Sequence, residues 1–542
     1  MIVSNDLWYK DAIIYQIPVH AFYDSNGDGV GDFRGLMEKL GYLRRLGVDT
    51  LWLLPFYPSP MRDGGYDISD YYGINPDLGS LDDFRDFLDA AHRAGFRVLA
   101  DLVLNHTSDQ HRWFQEARLS PDSPKRDWYV WSDDPARYGQ ARIIFHDVER
   151  SNWSWDPTAE AYYWHRFFFH QPDLNYDNPE LREEMKGVVR YWLDMGVDGF
   201  RCDAVPYLFE RDGTNCEGLP ETHAFLKELR RMIDEEYPGR VLLAEANHRL
   251  SSLCSYFGEC DEFHMAFHFP LMPRIFMALA RGEGQPIEDI LGEVPQIPDE
   301  CQWGVFLRNH DELTLSKVSE EEQHYLLRTY APDPRMRLNG GIRRRLAPLL
   351  GNDLGRIELA HALLLSMPGT PILYYGDEIG MGDNIYLGDR NGVRTPMQWS
   401  ADRNGGFSTA DPAHLHIPPV EDPPHGYKTV NVEAQERSPD SLLSRVRKLI
   451  GVRCRYRAFG RGSIEFLRTH NRRVLAFTRS YKGQVLLAVF NLSGQIQRVE
   501  MPLGRFAGCA PMDLLSENTL PLVGDAPYGL ILAPYGFYWF QL

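Results

Sequence analysis

Eight short runs rich in β-branched and aromatic residues alternate with stretches of helical period, and this alternation leaves the chain very few folds. The runs cover 13–19, 50–54, 98–104, 199–204, 241–246, 263–269, 304–308 and 371–375. Helix-period segments such as 33–46, 81–94, 179–195 and 222–236 lie between them. Strand and helix in turn predict parallel βαβ units. Eight such units predict an α/β fold of the (β/α)8 kind, a TIM barrel, with its active site at the C-terminal ends of the strands.

Two spacings interrupt the rhythm. Residues 106–173 are too many for a structureless loop and predict an inserted B domain after the third strand. Residues 313–353, after the seventh strand, predict a helical insertion within the barrel domain. Its basic run Arg343-Arg344-Arg345 reads as a solvated or interface face. The barrel domain is then 1–105 plus 174–455, with a loop segment at 405–428 and a helix at 438–453. Beyond it, strand patterns at 474–479, 484–491, 497–501 and 537–541 are separated by Gly, Asn and Pro. They predict a C-terminal antiparallel β-sandwich over 456–542.

The strand ends carry the chemistry. The third run leads into Asn105-His106, and the fourth ends in Arg201-Cys202-Asp203. The fifth ends in Glu245-Ala246-Asn247, and the seventh in Arg308-Asn309-His310-Asp311-Glu312. A lone strand-end Asp is more often a helix cap or a solvated loop residue. Three acids at equivalent barrel positions, with Arg and His beside them, reverse that weighting, because buried carboxylates cost free energy unless paired or used. Two carboxylates a few ångströms apart are what retaining glycoside chemistry needs.

Composition narrows the partners. A formal charge of −19 argues against nucleic acid and against anionic membranes. No apolar run of membrane-spanning length occurs, and the N-terminus lacks the basic, apolar and small-residue regions of a signal peptide. Seven cysteines, an odd number without a CxxC pair, suggest neither zinc nor a disulfide framework. A reducing cytoplasm is the expected location. The segment Asp24-Ser25-Asn26-Gly27-Asp28-Gly29-Val30-Gly31-Asp32 alternates oxygen-bearing residues with glycines, as a loop wrapping a hard cation does. By itself it leaves an Asx-rich turn open.

With these motifs in order, DLVLNH (101–106), QPDLN (171–175), GFRCD (199–203), LLAEA (242–246) and RNHDE (308–312), nearly the whole chain resembles the α-amylase superfamily of glycoside hydrolases. The resemblance implies Asp203 as nucleophile, Glu245 as acid/base and Asp311 as the third carboxylate. It implies that Tyr66, Asp67, His106, Arg201, His310 and Arg394 surround the sugar. Arg201 is expected to keep Asp203 ionised, and Glu245 to have a raised pKa. The resemblance also favours structural calcium in the first loop, on Asp24, Asn26, Asp28, Asp32 and the Val30 carbonyl. A second ion is expected near Asn105 and Asp173.

The segments 267–282, 333–350, 374–399 and 431–436 resemble the branch of that family that interconverts maltose and trehalose. That resemblance implies a small disaccharide substrate and intramolecular transfer of glucose through a β-glucosyl-enzyme, with some loss to water. Asn247, Glu312 and Arg142 are the expected acceptor-site residues, with an Arg142–Glu312 ion pair as a gate. The stretch 248–254 departs from the branch and bears on the ratio of isomerisation to hydrolysis. An α-glucosidase acting on maltose or isomaltose, or a sucrose isomerase, stays open. A non-catalytic barrel predicts a missing carboxylate or a membrane helix, and the sequence has neither feature. A homo-oligomer is compatible with the sequence.

Overall fold

In the computed structural model, which describes residues 7–542, eight parallel strands close on themselves. They are β1 (Ile14–Ile17), β2 (Thr50–Leu53), β3 (Arg97–Val103), β4 (Gly199–Asp203), β5 (Val241–Ala244), β6 (Met265–Phe267), β7 (Gln302–Phe306) and β8 (Thr370–Tyr374). Each pairs with its sequence neighbours, and Ile14, opposite both Thr50 and Ile372, closes the ring. Strands enclosed on both faces need continuous apolar runs rather than alternation. Accordingly β1, β2, β5, β7 and β8 are buried at every residue.

The outer helices carry their own punctuation. Ser80 and Asp83 form a reciprocal capping box at the start of Leu81–Arg93. Pro179–Met195 starts at an Asn178 cap with Pro at its first position, and stops where Gly196 turns left-handed at φ 114°. The expected helix 33–46 is two helices, Phe33–Glu38 and Leu40–Leu46. The break falls at Lys39, whose ammonium lies 3.6 Å from the Tyr23 ring centroid and 4.6 Å from that of Trp399.

A bridge between His106 and Asp173 closes the neck of the inserted domain. Inside it, Trp131–Ser132, Ala161–Trp164 and Trp153–Asp156 form a three-stranded antiparallel sheet. The second insertion is only partly helical. Helix Glu320–Tyr330 is followed by a two-stranded ladder of Arg337–Leu338 against Gly341–Ile342. The basic run is not a solvated face. Arg345 is fully buried, on the Tyr375 carbonyl and Asp377. Arg344 pairs with Asp383, and Arg343 donates to the carbonyls of Ile385 and Leu387. The Arg343 and Arg344 guanidiniums, with the backbone amide of Arg345 on Asp383, fasten the loop 383–390, because its inward carbonyls and carboxylate need donors and no strand supplies them.

At the C-terminus the four expected strands are present, joined by Ser463–Phe466, Met512–Asp513 and Tyr528–Leu532. They make a five-stranded antiparallel sheet and a two-stranded one, with Val474, Val489, Val499, Met501, Leu532 and Phe540 buried between. Among the described residues no helix is long and apolar enough to cross a membrane.

Candidate active site

Asp203 is the last residue of β4, Glu245 follows the last residue of β5, and Asp311 lies in the loop after β7. The TIM-barrel geometry therefore delivers all three to one rim. Beneath them Arg201 is 1% exposed. Its Nη1 lies 2.8 Å from Asp101 and 2.6 Å from Asp203, and its Nη2 lies 2.7 Å from Glu245. Asp101, on β3, also accepts from Trp52 and Tyr66. Arg201 holds Asp203 through one guanidinium nitrogen and Glu245 through the other, so the two carboxyl groups face a common site where nucleophile and acid/base can serve one anomeric centre.

One cation among three buried carboxylates cannot neutralise them all, so a proton must stay. The electrostatics place it on Glu245. Burial lifts its pKa to about 8, with Asp203 and Asp311 adding repulsion against the opposing Arg201. Burial also lifts Asp203, with Arg201 opposing, to about 6. Near pH 7 Asp203 is then ionised and Glu245 protonated, the pairing a glycosyl-transfer step requires. Below the lower value the nucleophile is protonated, and above the upper one the acid is lost. The kcat/KM profile is therefore expected to be a bell with limbs near pH 6 and 8, belonging to the interacting pair of carboxyls. A profile flat from pH 5 to 9 would refute the assignment.

The cavity above these groups is lined by Asp63, Tyr66, His106, Arg142, Phe145, Phe167, Tyr207, Asn247, Phe269, His310, Glu312, Thr314, Ser316, Asn339 and Arg390. Tyr66 stacks on His310 with ring centroids 5.2 Å apart. Burial drives His106 down to about 3, leaving it neutral, and its Nε2 has no partner. Burial opposes the charge of Asp311, but His310, Arg390 and Arg394 outweigh it and hold the carboxyl well below the usual range. Arg390 lies 2.9 Å from Asp311 and 2.5 Å from Asp63, and Arg394 lies 3.2 Å from Asp311.

Four expectations differ from the structure. Asp67 does not reach the cavity. Fully buried, it accepts from Ser59 and from the Arg62 and Asp63 amides, and so shapes the turn that presents Asp63. Arg394 also sits behind the cavity, on the His310 carbonyl and Asp311. Arg142 pairs with Glu217 at 2.8 Å and with the Tyr207 hydroxyl at 3.1 Å, not with Glu312. Glu217, shared with the buried Arg166 at 2.9 Å, offers both guanidiniums a counter-charge. Glu312 keeps one buried oxygen without a partner. Finally, of residues 247–254 only Asn247 lines the cavity. Asn247 donates to Thr314, and His248 turns away to stack on Tyr256.

Asp63, Arg390, Asp101 and Glu217 were not assigned roles from the sequence. Asp63 and Arg390 lie in MRDGG and GDRNG, which read as ordinary turns. Their pairing joins residues 327 positions apart.

Two places suit a cation. In the first loop Asp24 and Asp32 are buried, and no Lys, Arg or His pairs with them among the described residues. Asp24 accepts from the amides of Asn26, Gly27 and Gly29 and from the Ser408 hydroxyl. Asp28 accepts from the amide of Val30, and Asp32 from Ser25 and Gly35. Gly27 and Gly29, at φ 80° and 100°, bend the backbone around them. At the neck of the inserted domain, Asn105 Oδ1, Asp173 Oδ2 and Glu210 Oε1 are buried oxygens with no partner. Burial lifts Asp173 to about 8 and raises Glu210 as well. Among the described residues no three His, Cys, Asp or Glu side chains converge by themselves, so both places depend on amides and carbonyls as well.

Residues 16–331 and 342–462 match the model of the α-amylase catalytic domain, and 464–539 that of the maltogenic amylase C-terminal domain. Over 99% of its length the chain is 59% identical to a trehalose synthase/amylase of Mycolicibacterium smegmatis, covering 92% of that protein. It is 55% identical to a trehalose synthase of Pimelobacter sp., with 99% and 96% of the two chains covered. The crystal structure of a trehalulose synthase from Pseudomonas mesoacidophila superposes with a TM-score of 0.78 at 29% identity, over 98% of this chain and 99% of that one.

Proposed function

The chain belongs to the α-amylase family, among its trehalose synthases, and we propose on that footing that it isomerises maltose to trehalose within one pocket. The observation that carries the reading is the Arg201 cluster, an ionised Asp203 beside a protonated Glu245 inside an aromatic-walled cavity. Asp203 attacks the anomeric carbon of the non-reducing glucose while Glu245 protonates the departing O4. His106, His310, Asp311 and Arg390 grip the hydroxyls of the transferred ring. The released glucose stays, turns, and presents its anomeric hydroxyl to the β-glucosyl-enzyme, with Glu245 now the base. Two inversions retain the α configuration.

Asn247, Thr314 and Ser316 form the hydrogen-bonded wall against which the glucose turns. Water competes at the same carbon, and Arg142, held by Glu217, does not pair with Glu312, which instead accepts from Asn339. Some glucose is therefore expected as a by-product. Incubating the protein with maltose and resolving trehalose, glucose and maltose over time tests the proposal. Trehalose in excess of glucose supports it, whereas glucose without trehalose makes the protein a hydrolase on the same scaffold.

Calcium belongs to this reading as a structural ion, neutralising the buried acids of the first loop through Asp24, Asn26, Asp28, Asp32 and the Val30 carbonyl. A second ion takes Asn105 and Asp173, with Glu210 added from the orphaned oxygens. Treatment with EGTA is expected to lower the thermal midpoint by several degrees, with recovery on adding calcium. An unchanged midpoint would remove the ion from the account.

A further inference from the structure

We propose that Cys260 and Cys301 are a site of reversible oxidation, closing to a disulfide when the protein meets hydrogen peroxide. The two residues are 41 apart in sequence, yet their sulfurs lie 3.4 Å from each other. This is the one contact between cysteine sulfurs among the described residues. Cys301 stands immediately before β7, and Cys260 lies in the turn before β6. The pair therefore bridges adjacent strands at their N-terminal ends, opposite the catalytic carboxylates.

The two thiols differ in the way such a reaction needs. Cys301 is 1% exposed, and its sulfur rests on the Phe263 carbonyl at 3.7 Å. Burial also holds that thiol well above its ordinary pKa, so it does not react first. Cys260 is partly open to solvent and belongs to no helix or strand. Its sulfur attacks one peroxide oxygen and breaks the O–O bond, giving a sulfenic acid and one water. Cys301 sulfur then attacks the sulfenic sulfur, and the displaced hydroxide leaves as a second water with the Cys301 proton. Two thiols and one peroxide thus become one disulfide and two waters. The sulfurs must close from 3.4 Å to about 2.05 Å. A turn can supply this shift without breaking a ladder bond of the barrel.

Closing a loop of this length restricts the unfolded chain, so oxidation is expected to raise the thermal midpoint by about 2–5 °C. The test exposes the folded, full-length protein to dilute peroxide, blocks the remaining thiols and maps its unreduced peptides by mass spectrometry. The expected result is a 260–301 cross-linked peptide, with two thiols lost of seven, reversed by dithiothreitol together with the rise in midpoint. Cys260→Ser should abolish the cross-link and the rise, and Cys454→Ser, which alters an exposed cysteine, should change neither. Three results would overturn the proposal: seven surviving thiols, Cys260 oxidised to sulfinic acid without a cross-link, or a cross-link formed only in urea.

Discussion

Replacing Asp203 by Asn is expected to lower kcat on maltose by at least about 10⁴-fold while leaving the fold intact. The amide fills the same volume and can still accept from Arg201, which lies 2.6 Å away. What it lacks is the charge and nucleophilicity to form a glucosyl ester. On the proposed mechanism both trehalose and glucose production should fall together, because isomerisation and hydrolysis would pass through the same glucosyl-enzyme. Circular dichroism and the thermal midpoint should stay close to the parent values. If trehalose formation drops less than about 100-fold, or if glucose release survives alone, Asp203 is not the shared nucleophile.

Arg201→Met is expected to be the most damaging single substitution for stability in the site. Asp101 is fully buried, and Asp203 and Glu245 touch the same guanidinium. Removing the cation leaves three acids facing one another, a change that costs about 3–5 kcal/mol when a buried pair is broken. The sign of the pH dependence follows from the direction of the shifts. Burial already raises Asp101 and Asp203 to about 6 and Glu245 to about 8, so their protonated forms are favoured in the folded state. Without Arg201 those values rise further. Stability of the variant is then retained at low pH and lost as pH rises through the folded values. The gap in thermal midpoint between variant and parent should narrow from pH 8 to pH 5. A gap that is constant or widens on acidification would mean that Arg201 acts by packing, not by charge.

The strand runs and the order of the motifs were enough to lay out a barrel with acids at its rim. Strands buried on both faces must be apolar throughout, and that leaves a visible signature in one dimension. The splitting of the helix at Lys39 left no such mark, because what Lys39 meets are rings at Tyr23 and Trp399, one of them hundreds of residues away. The short strands Ser463–Phe466 and Met512–Asp513 were also invisible, because two to four residues carry too little periodicity.

The sequence by itself determined which residue types stand at the strand ends, and so the chemistry that the rim can perform. The tertiary structure alone decided how the charges are shared. Arg142 took Glu217 rather than Glu312, Asp63 found Arg390, Asp67 closed its own turn, Arg343 and Arg344 fastened the loop 383–390, and Arg345 went inward to Tyr375 and Asp377. The physical reason is range. Backbone periodicity is set by near neighbours along the chain, so it can be read there. The partner of a buried charge is set by which opposite charge or carbonyl lies within a few ångströms after folding, and desolvation makes that choice nearly obligatory.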